Sequence, residues 1–204
     1  MRGETFDFIS NFSTLWQVVL GACLATAGGL AANQFEWRAQ QQRRERNAAL
    51  FFGEVLSSLA VILKLAHQTK QIGDPFGPIT LRMLRSARRE IDIYERNRES
   101  LIDLRDANLR ARIHRLTLRI AMPLDGMFDG SQEIALTEGQ LRSRTLDDAD
   151  RSELEARVAG LKERRDAGYE YMCETSQEIA KILSDLAPLA RHSFSYEDFA
   201  LRSS

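Results

Sequence analysis

From Phe8 to Phe35 the chain carries no charged residue. A helix needs about 20 apolar residues to cross the hydrocarbon core of a bilayer. The run from Leu15 to Ala32 supplies them, mostly as Leu, Val, Ala and Gly. The only two tryptophans, Trp16 and Trp37, bracket this run. On a helix they are about 31 Å apart, close to the roughly 30 Å of a bilayer core, and Trp favours the interface at either side. The expected layout is a short extracytoplasmic N-terminus over residues 1–13, a transmembrane helix over 14–35, a cytoplasmic helical domain over 36–190 and a C-terminal tail over 191–204. Arg38, Arg43, Arg44 and Arg46 follow the run, whereas only Arg2 precedes it, beside Glu4 and Asp7. The positive-inside tendency therefore predicts a single-pass protein of the bacterial inner membrane, N-terminus out, C-terminal domain in the cytoplasm.

Other readings compete with this one. Ala25-Thr26-Ala27 has the small-residue pattern of a signal-peptide cleavage site, but the preceding segment is acidic rather than basic and an Arg cluster follows closely. The abundance of Ala and Gly would also suit a buried helix of a soluble protein. A helix lying flat on the membrane needs a charged face, which this run lacks. Within it, Gly21, Ala25 and Gly29 recur every four residues, with Gly28 and Ala32 nearby. Such a stripe lets two helices approach closely in lipid, although an Ala/Gly-rich span produces it by composition as well.

The remainder reads as helical throughout, with no alternating segment long enough for a strand. Leu50, Phe52, Val55, Leu56, Leu59, Ile62, Leu63 and Ala66 follow helical spacing, so the anchor is expected to continue into this helix. Gly73 to Pro78 holds two glycines and two prolines and predicts a reversal. A helix over about Ile79–Arg96 comes next, then a kink or cap at Asn97–Ser100, then a helix to about Met122. Met122 to Ser131, with Pro123 and two Asp-Gly pairs, predicts a loop. A last long helix is expected over Leu146–Leu186, capped by Asp148 or Asp150, with Pro188 beyond its end. Its 4-3 stripe is interrupted by Arg165, Gly168 and Thr175, which favours packing in an antiparallel bundle over a long isolated coiled coil. The expected fold class is thus all-α: one transmembrane helix continuing into a cytoplasmic antiparallel, coiled-coil-like helical bundle.

Net charge is −1, but charge is segregated. Residues 82–119 hold eleven Arg against six acidic residues, and residues 125–204 hold ten basic against seventeen acidic ones. Arg82, Arg85, Arg88 and Arg89 lie on neighbouring turns, as do Arg105, Arg112, Arg115 and Arg119. They form a possible face for an anionic ligand, lipid or nucleic acid. Interleaved Glu90, Asp92, Glu95, Asp103 and Asp106 point instead to solvated helix faces, or to pairing with the acidic helix that follows. Nucleic acid is not expected as a partner.

Signs of catalysis are sparse. His67, His114 and His192 each stand alone, without a second ligand at helical spacing. Cys173 sits among Met172 and Glu174, and acidic company does not activate a thiol. Asp125, Asp129 and Glu133 share four-residue spacing without the alternation of a calcium loop. Two cysteines, Cys23 and Cys173, make no disulfide framework. No cofactor, metal site or catalytic residue is expected.

Arg43-Arg44-Glu45-Arg46 after the hydrophobic helix, then Tyr94-Glu95-Arg96-Asn97 followed by Leu101 and Leu104, resembles the layout of a broad set of bacterial single-pass membrane proteins of uncharacterised activity. The likeness covers about residues 15–120 and implies an anchored helical domain, with no activity and no site residues. The expected function is a non-enzymatic, membrane-tethered module that self-associates or binds a protein partner. The alternative is a membrane-bound regulator or sensor whose Arg-rich helices bind an anionic ligand.

Overall fold

The computed structural model describes the backbone of residues 4–72, 75–143 and 147–194, and the side chains of Thr26, Gly29 and residues 33–71, 75–142 and 147–194. Among the described residues helix is the only regular structure. The elements are α1 (Glu4–Ile72), α2 (Pro78–Arg96), a short 3-10 helix (Arg98–Asp103), α3 (Ala107–Ser143), α4 (Asp148–Ser176) and α5 (Glu178–Ala190). The chain forms two compact units, Met1–Arg44 and Glu45–Ser204.

In the first unit the backbone is one helix from Glu4 onward, through the whole of the charge-free run. Residues 33–40 are exposed without exception. They include two large aromatics, Phe35 at 71% exposure and Trp37 at 67%.

In the second unit the apolar stripe read from the sequence becomes the core. Phe52, Leu56, Leu59, Leu63 and Ala66 of α1 are buried at spacings of three and four, one face of a 3.6-residue repeat. The length and apolarity of α1 within Asn33–Gln71 would suffice to cross a membrane by composition alone, yet 56% of its most apolar 18-residue window is buried in the fold. On α1 Phe52 packs against Tyr94 of α2, and farther along His67 stacks on Tyr169 of α4.

Neighbouring helices meet in reversed order. Thr69 of α1 bonds Thr80 of α2, and Phe52 packs edge-on against Tyr94 at 5.9 Å between ring centres. Arg88 of α2 pairs with Asp125 of α3 at 2.8 Å, and Tyr94 Oη lies 3.0 Å from His114 Nδ1. Arg112 and Arg119 of α3 pair with Asp185 and Glu178 of α5, while Arg119 and Glu133 of α3 meet Tyr171 and Arg157 of α4. Lys70 of α1 reaches Asp166 of α4 at 3.8 Å, and Arg46 donates to the Ala190 carbonyl at the C-terminal end of α5. That cation sits where the helix dipole is negative.

Helix starts and stops follow local chemistry. Pro78 occupies the first turn of α2, where its missing N–H costs nothing. Asp147, rather than Asp148 or Asp150, caps α4 by accepting from the Asp150 backbone N–H at 2.7 Å. Arg191 ends α5 in the left-handed conformation, at φ 52° and ψ 40°.

Three expectations are corrected. The loop over Met122–Ser131 does not exist: α3 runs on through Pro123, Gly126 and Gly130 to Ser143. Packing overrides the breakers, because Ile120, Leu124 and Met127 are all buried on the face that continues from Leu116. The last helix is two, α4 and α5, separated at Gln177, whose N–H turns back to the Glu174 carbonyl as in a 3-10 turn. Pro188 lies inside the last turn of α5, not after it.

Candidate functional site

The sequence offers two places to look for chemistry, the arginines of α2 and α3 and the isolated histidines and Cys173.

The arginines do not form one free basic face. Arg88 is surrounded by carboxylates, with Asp92 at 2.7 Å, Asp125 at 2.8 Å and Glu95 at 3.6 Å. Its burial alone would lower its pKa, but the Asp125 hydrogen bond and the three negative charges raise it instead. Arg112 pairs with Asp185, and Arg119 with Glu178 and the Tyr171 hydroxyl. Arg89 donates to the Ser86 hydroxyl. Arg105 reaches back to Glu45 on α1. Among the described residues Arg82, Arg85 and Arg115 hold no ion pair and are exposed. Much of the segregated charge therefore joins α3 to α5 and α2 to α3. Exposed pairs of this kind contribute about 0–1 kcal/mol each, so they set which helix lies beside which more than they set stability.

Beside Arg88 a cleft of about 570 Å³ opens between α2 and α3. Leu81, Arg85 and Arg88 line it from α2, and Phe128, Ser131 and Gln132 from α3. Leu81, Arg85 and Arg88 sit four and three apart, and Ser131 and Gln132 sit three and four beyond Phe128, so each set shares a face. The cleft exists because α3 continues past residue 122.

The second locus assembles residues that the sequence keeps far apart. His67 and Cys173 are 106 positions apart, yet Cys173 Sγ lies 4.0 Å from His67 Nδ1. The other ring nitrogen of His67 is 3.0 Å from the Gln71 amide. His67 stacks on Tyr169 at 6.4 Å, and Phe76 meets Tyr169 edge-on at 5.8 Å. Two cations cover these rings: Lys70 Nζ is 4.1 Å from the Tyr169 centre, and Arg165 Cζ is 3.7 Å from that of Phe76. Arg165, which seemed to interrupt the apolar stripe of α4, is thus placed by an aromatic face. Burial pushes the Cys173 thiol and the Tyr169 phenol above their ordinary pKa values. A cysteine nucleophile needs thiolate, and this environment holds the thiol protonated. The cluster fastens the end of α1 and the Phe76 turn to α4.

His67 and His114 have neighbours that only the fold supplies, Cys173 and Tyr169 for His67 and Tyr94 for His114, whereas His192 meets Phe194 two positions along the chain. Asp125, Asp129 and Glu133 lie along one helix, with Asp125 and Glu133 taken up by arginines. Among the described residues no group of three or more His, Cys, Asp or Glu side chains is placed to hold a metal ion.

Of the expected membrane residues, Trp37, Arg38, Arg43 and Arg44 are exposed, and Arg46 belongs to the second unit at the end of α5. Gly29 is exposed, and a Cβ there would meet nothing within 4 Å. Trp16, Gly21, Ala25, Gly28 and Ala32 lie on the helical backbone, but their surroundings fall outside the described residues.

No protein-family model, no curated protein and no solved structure matches this chain.

Proposed function

We propose that the chain is a non-enzymatic helical interaction module tethered to a membrane by the N-terminal part of α1. One observation carries the reading. Helix α1 leaves residues 33–40 wholly exposed, Phe35 and Trp37 among them, directly after a run with no charged side chain. In water two large aromatics on a solvated helix are unfavourable; at a bilayer interface Trp is in its preferred place. The exposed Arg38, Arg43 and Arg44 follow, each worth about 1 kcal/mol beside anionic head groups.

The orientation that follows from flanking charge leaves the second unit in the cytoplasm of a bacterial cell. The reversed pairings of α1 with α2, α2 with α3 and α3 with α4 and α5 support an antiparallel helical bundle as its architecture. The small-residue stripe Gly21, Ala25, Gly29 supplies a surface for self-association or for a partner helix in lipid, with Gly28 and Ala32 widening it. Tethering concentrates the module at the membrane, so a partner need not bind tightly.

Two measurements test this reading. The full-length chain should sediment with the membrane fraction of lysed cells and resist alkaline carbonate. Recovery in the aqueous supernatant would overturn the tether. In a membrane association assay, Gly21→Leu, Ala25→Leu and Gly29→Leu together should reduce association at least tenfold. Unchanged association would remove the stripe from the assembly and leave the second unit as the binding surface.

A further inference from the structure

We infer that the cleft between α2 and α3 is a binding site for a small amphipathic carboxylate, with Arg85 holding the charged end. This goes beyond the tether reading and requires neither a membrane nor a protein partner.

The volume, about 570 Å³, falls within the range of small-molecule sites. The walls are of two kinds. Leu81 of α2 and Phe128 of α3 offer an aliphatic and an aromatic surface. Arg85, Arg88, Ser131 and Gln132 supply the polar groups. The two arginines differ. Arg88 is already surrounded by Asp92, Glu95 and Asp125 and has no charge left to offer. Arg85, one turn earlier, is exposed and holds no ion pair among the described residues. Ser131 is also among the lining residues, and its hydroxyl is buried without a hydrogen-bond partner, an unmet bond that costs free energy.

These features select the ligand class. One uncommitted guanidinium matches one negative charge, and its planar fork fits a carboxylate in bidentate fashion. A phosphate, carrying between one and two negative charges at neutral pH, would meet the Asp125 side of the cleft without a second free cation. A fully polar anion would gain nothing from Leu81 and Phe128. The fit is therefore to a carboxylate bearing an aliphatic or aromatic body of modest size.

The test uses the full-length chain in mild detergent and 4-(trifluoromethyl)phenylacetate as probe, followed by fluorine NMR. Its neutral primary amide and inorganic phosphate serve as comparisons. The carboxylate should bind with a sub-millimolar Kd and the amide at least tenfold more weakly. Arg85→Gln should weaken the carboxylate at least tenfold and leave the amide unchanged. Arg82→Gln, an exposed arginine on the same helix but outside the lining, should change neither. Phe128→Ala, which enlarges the cleft, should weaken both probes, and the helical circular dichroism signal shows whether each variant is folded. No carboxylate binding up to 10 mM (on the order of the weakest affinity worth assigning to a site) would overturn the inference. So would equal losses in Arg85→Gln and Arg82→Gln, or inorganic phosphate binding as tightly as the probe.

Discussion

Gly53 offers a sharp test of the packing, because two opposing effects meet at one atom. It lies inside α1, where Gly to Ala ordinarily stabilises a helix by about 1 kcal/mol. A Cβ on Gly53, however, would stand 2.0 Å from Cζ of Phe194 and 2.3 Å from Cε1. The ring must leave. Phe194 is half-buried and packs against the main core. A fully buried Phe contributes about 1.5–3 kcal/mol, so losing its docking costs roughly 1 kcal/mol. Gly53→Ala alone should therefore leave stability nearly unchanged. In a Phe194→Ala background the steric conflict is gone, and the same substitution should stabilise by about 1 kcal/mol. The coupling between the two sites is then about 1 kcal/mol. Urea unfolding of the full-length chain in mild detergent, followed by helical circular dichroism, reads this as a midpoint shift of roughly 0.5 M for a slope of about 2 kcal/mol/M. Equal stabilisation in both backgrounds would show that Phe194 does not rest on Gly53. A loss above about 3 kcal/mol in both would mean that backbone, not a ring, crowds the position.

Other outcomes follow from the same contacts. Gly126 and Gly130 sit inside α3 with nothing within 4 Å of a new Cβ, so Gly126→Ala and Gly130→Ala should each raise unfolding free energy by roughly 0.5–1 kcal/mol; a loss in either would contradict a continuous helix there. Burial raises the Glu90 carboxyl above its ordinary pKa, against the lowering effect of Arg89. A folded-state pKa above the unfolded value favours folding at low pH and opposes it once the group ionises, so Glu90→Gln should stabilise at pH 7, with the gain fading as pH falls through the carboxylate range. A constant gain from pH 7 to pH 3 would refute that account. At pH 7 Cys173 should react with iodoacetamide at least tenfold more slowly than a cysteine in the urea-unfolded chain, since burial holds the thiol protonated; equal rates would mean that the cluster around Tyr169 is open.

Much of the helical order is legible from side-chain spacing. Leu84, Ala87, Ile91 and Tyr94 repeat at three and four, and α2 buries those very residues. Pro78 and Asn97 mark its ends. The expected loop at Met122–Ser131 shows where local reading misleads. Pro123, Gly126 and Gly130 are each unfavourable in a helix by about 1–3 kcal/mol, and the two Asp-Gly pairs are turn formers. The stronger signal is the uninterrupted run Leu116, Ile120, Leu124, Met127, which keeps helical period straight across the breakers. The His67, Cys173 and Tyr169 cluster carries no short-range signal at all, because residues 106 apart meet only after α4 folds back onto α1. The arginines lie between these cases. Their segregation from the acidic half is visible in the composition, but which of them stay free depends on the register of α3 against α5.

The passage of α3 through Pro123, Gly126 and Gly130 has a consequence for how the molecule comes apart. Pro123 lacks the N–H that would bond the Arg119 carbonyl, and two glycines follow within two turns. That stretch holds its shape on loan from the side chains of α2 and α4. When those neighbours loosen, it has little intrinsic tendency to stay coiled. The middle of the longest helix in the second unit is then its seam, the point where backbone amides exchange with solvent ahead of the turns on either side.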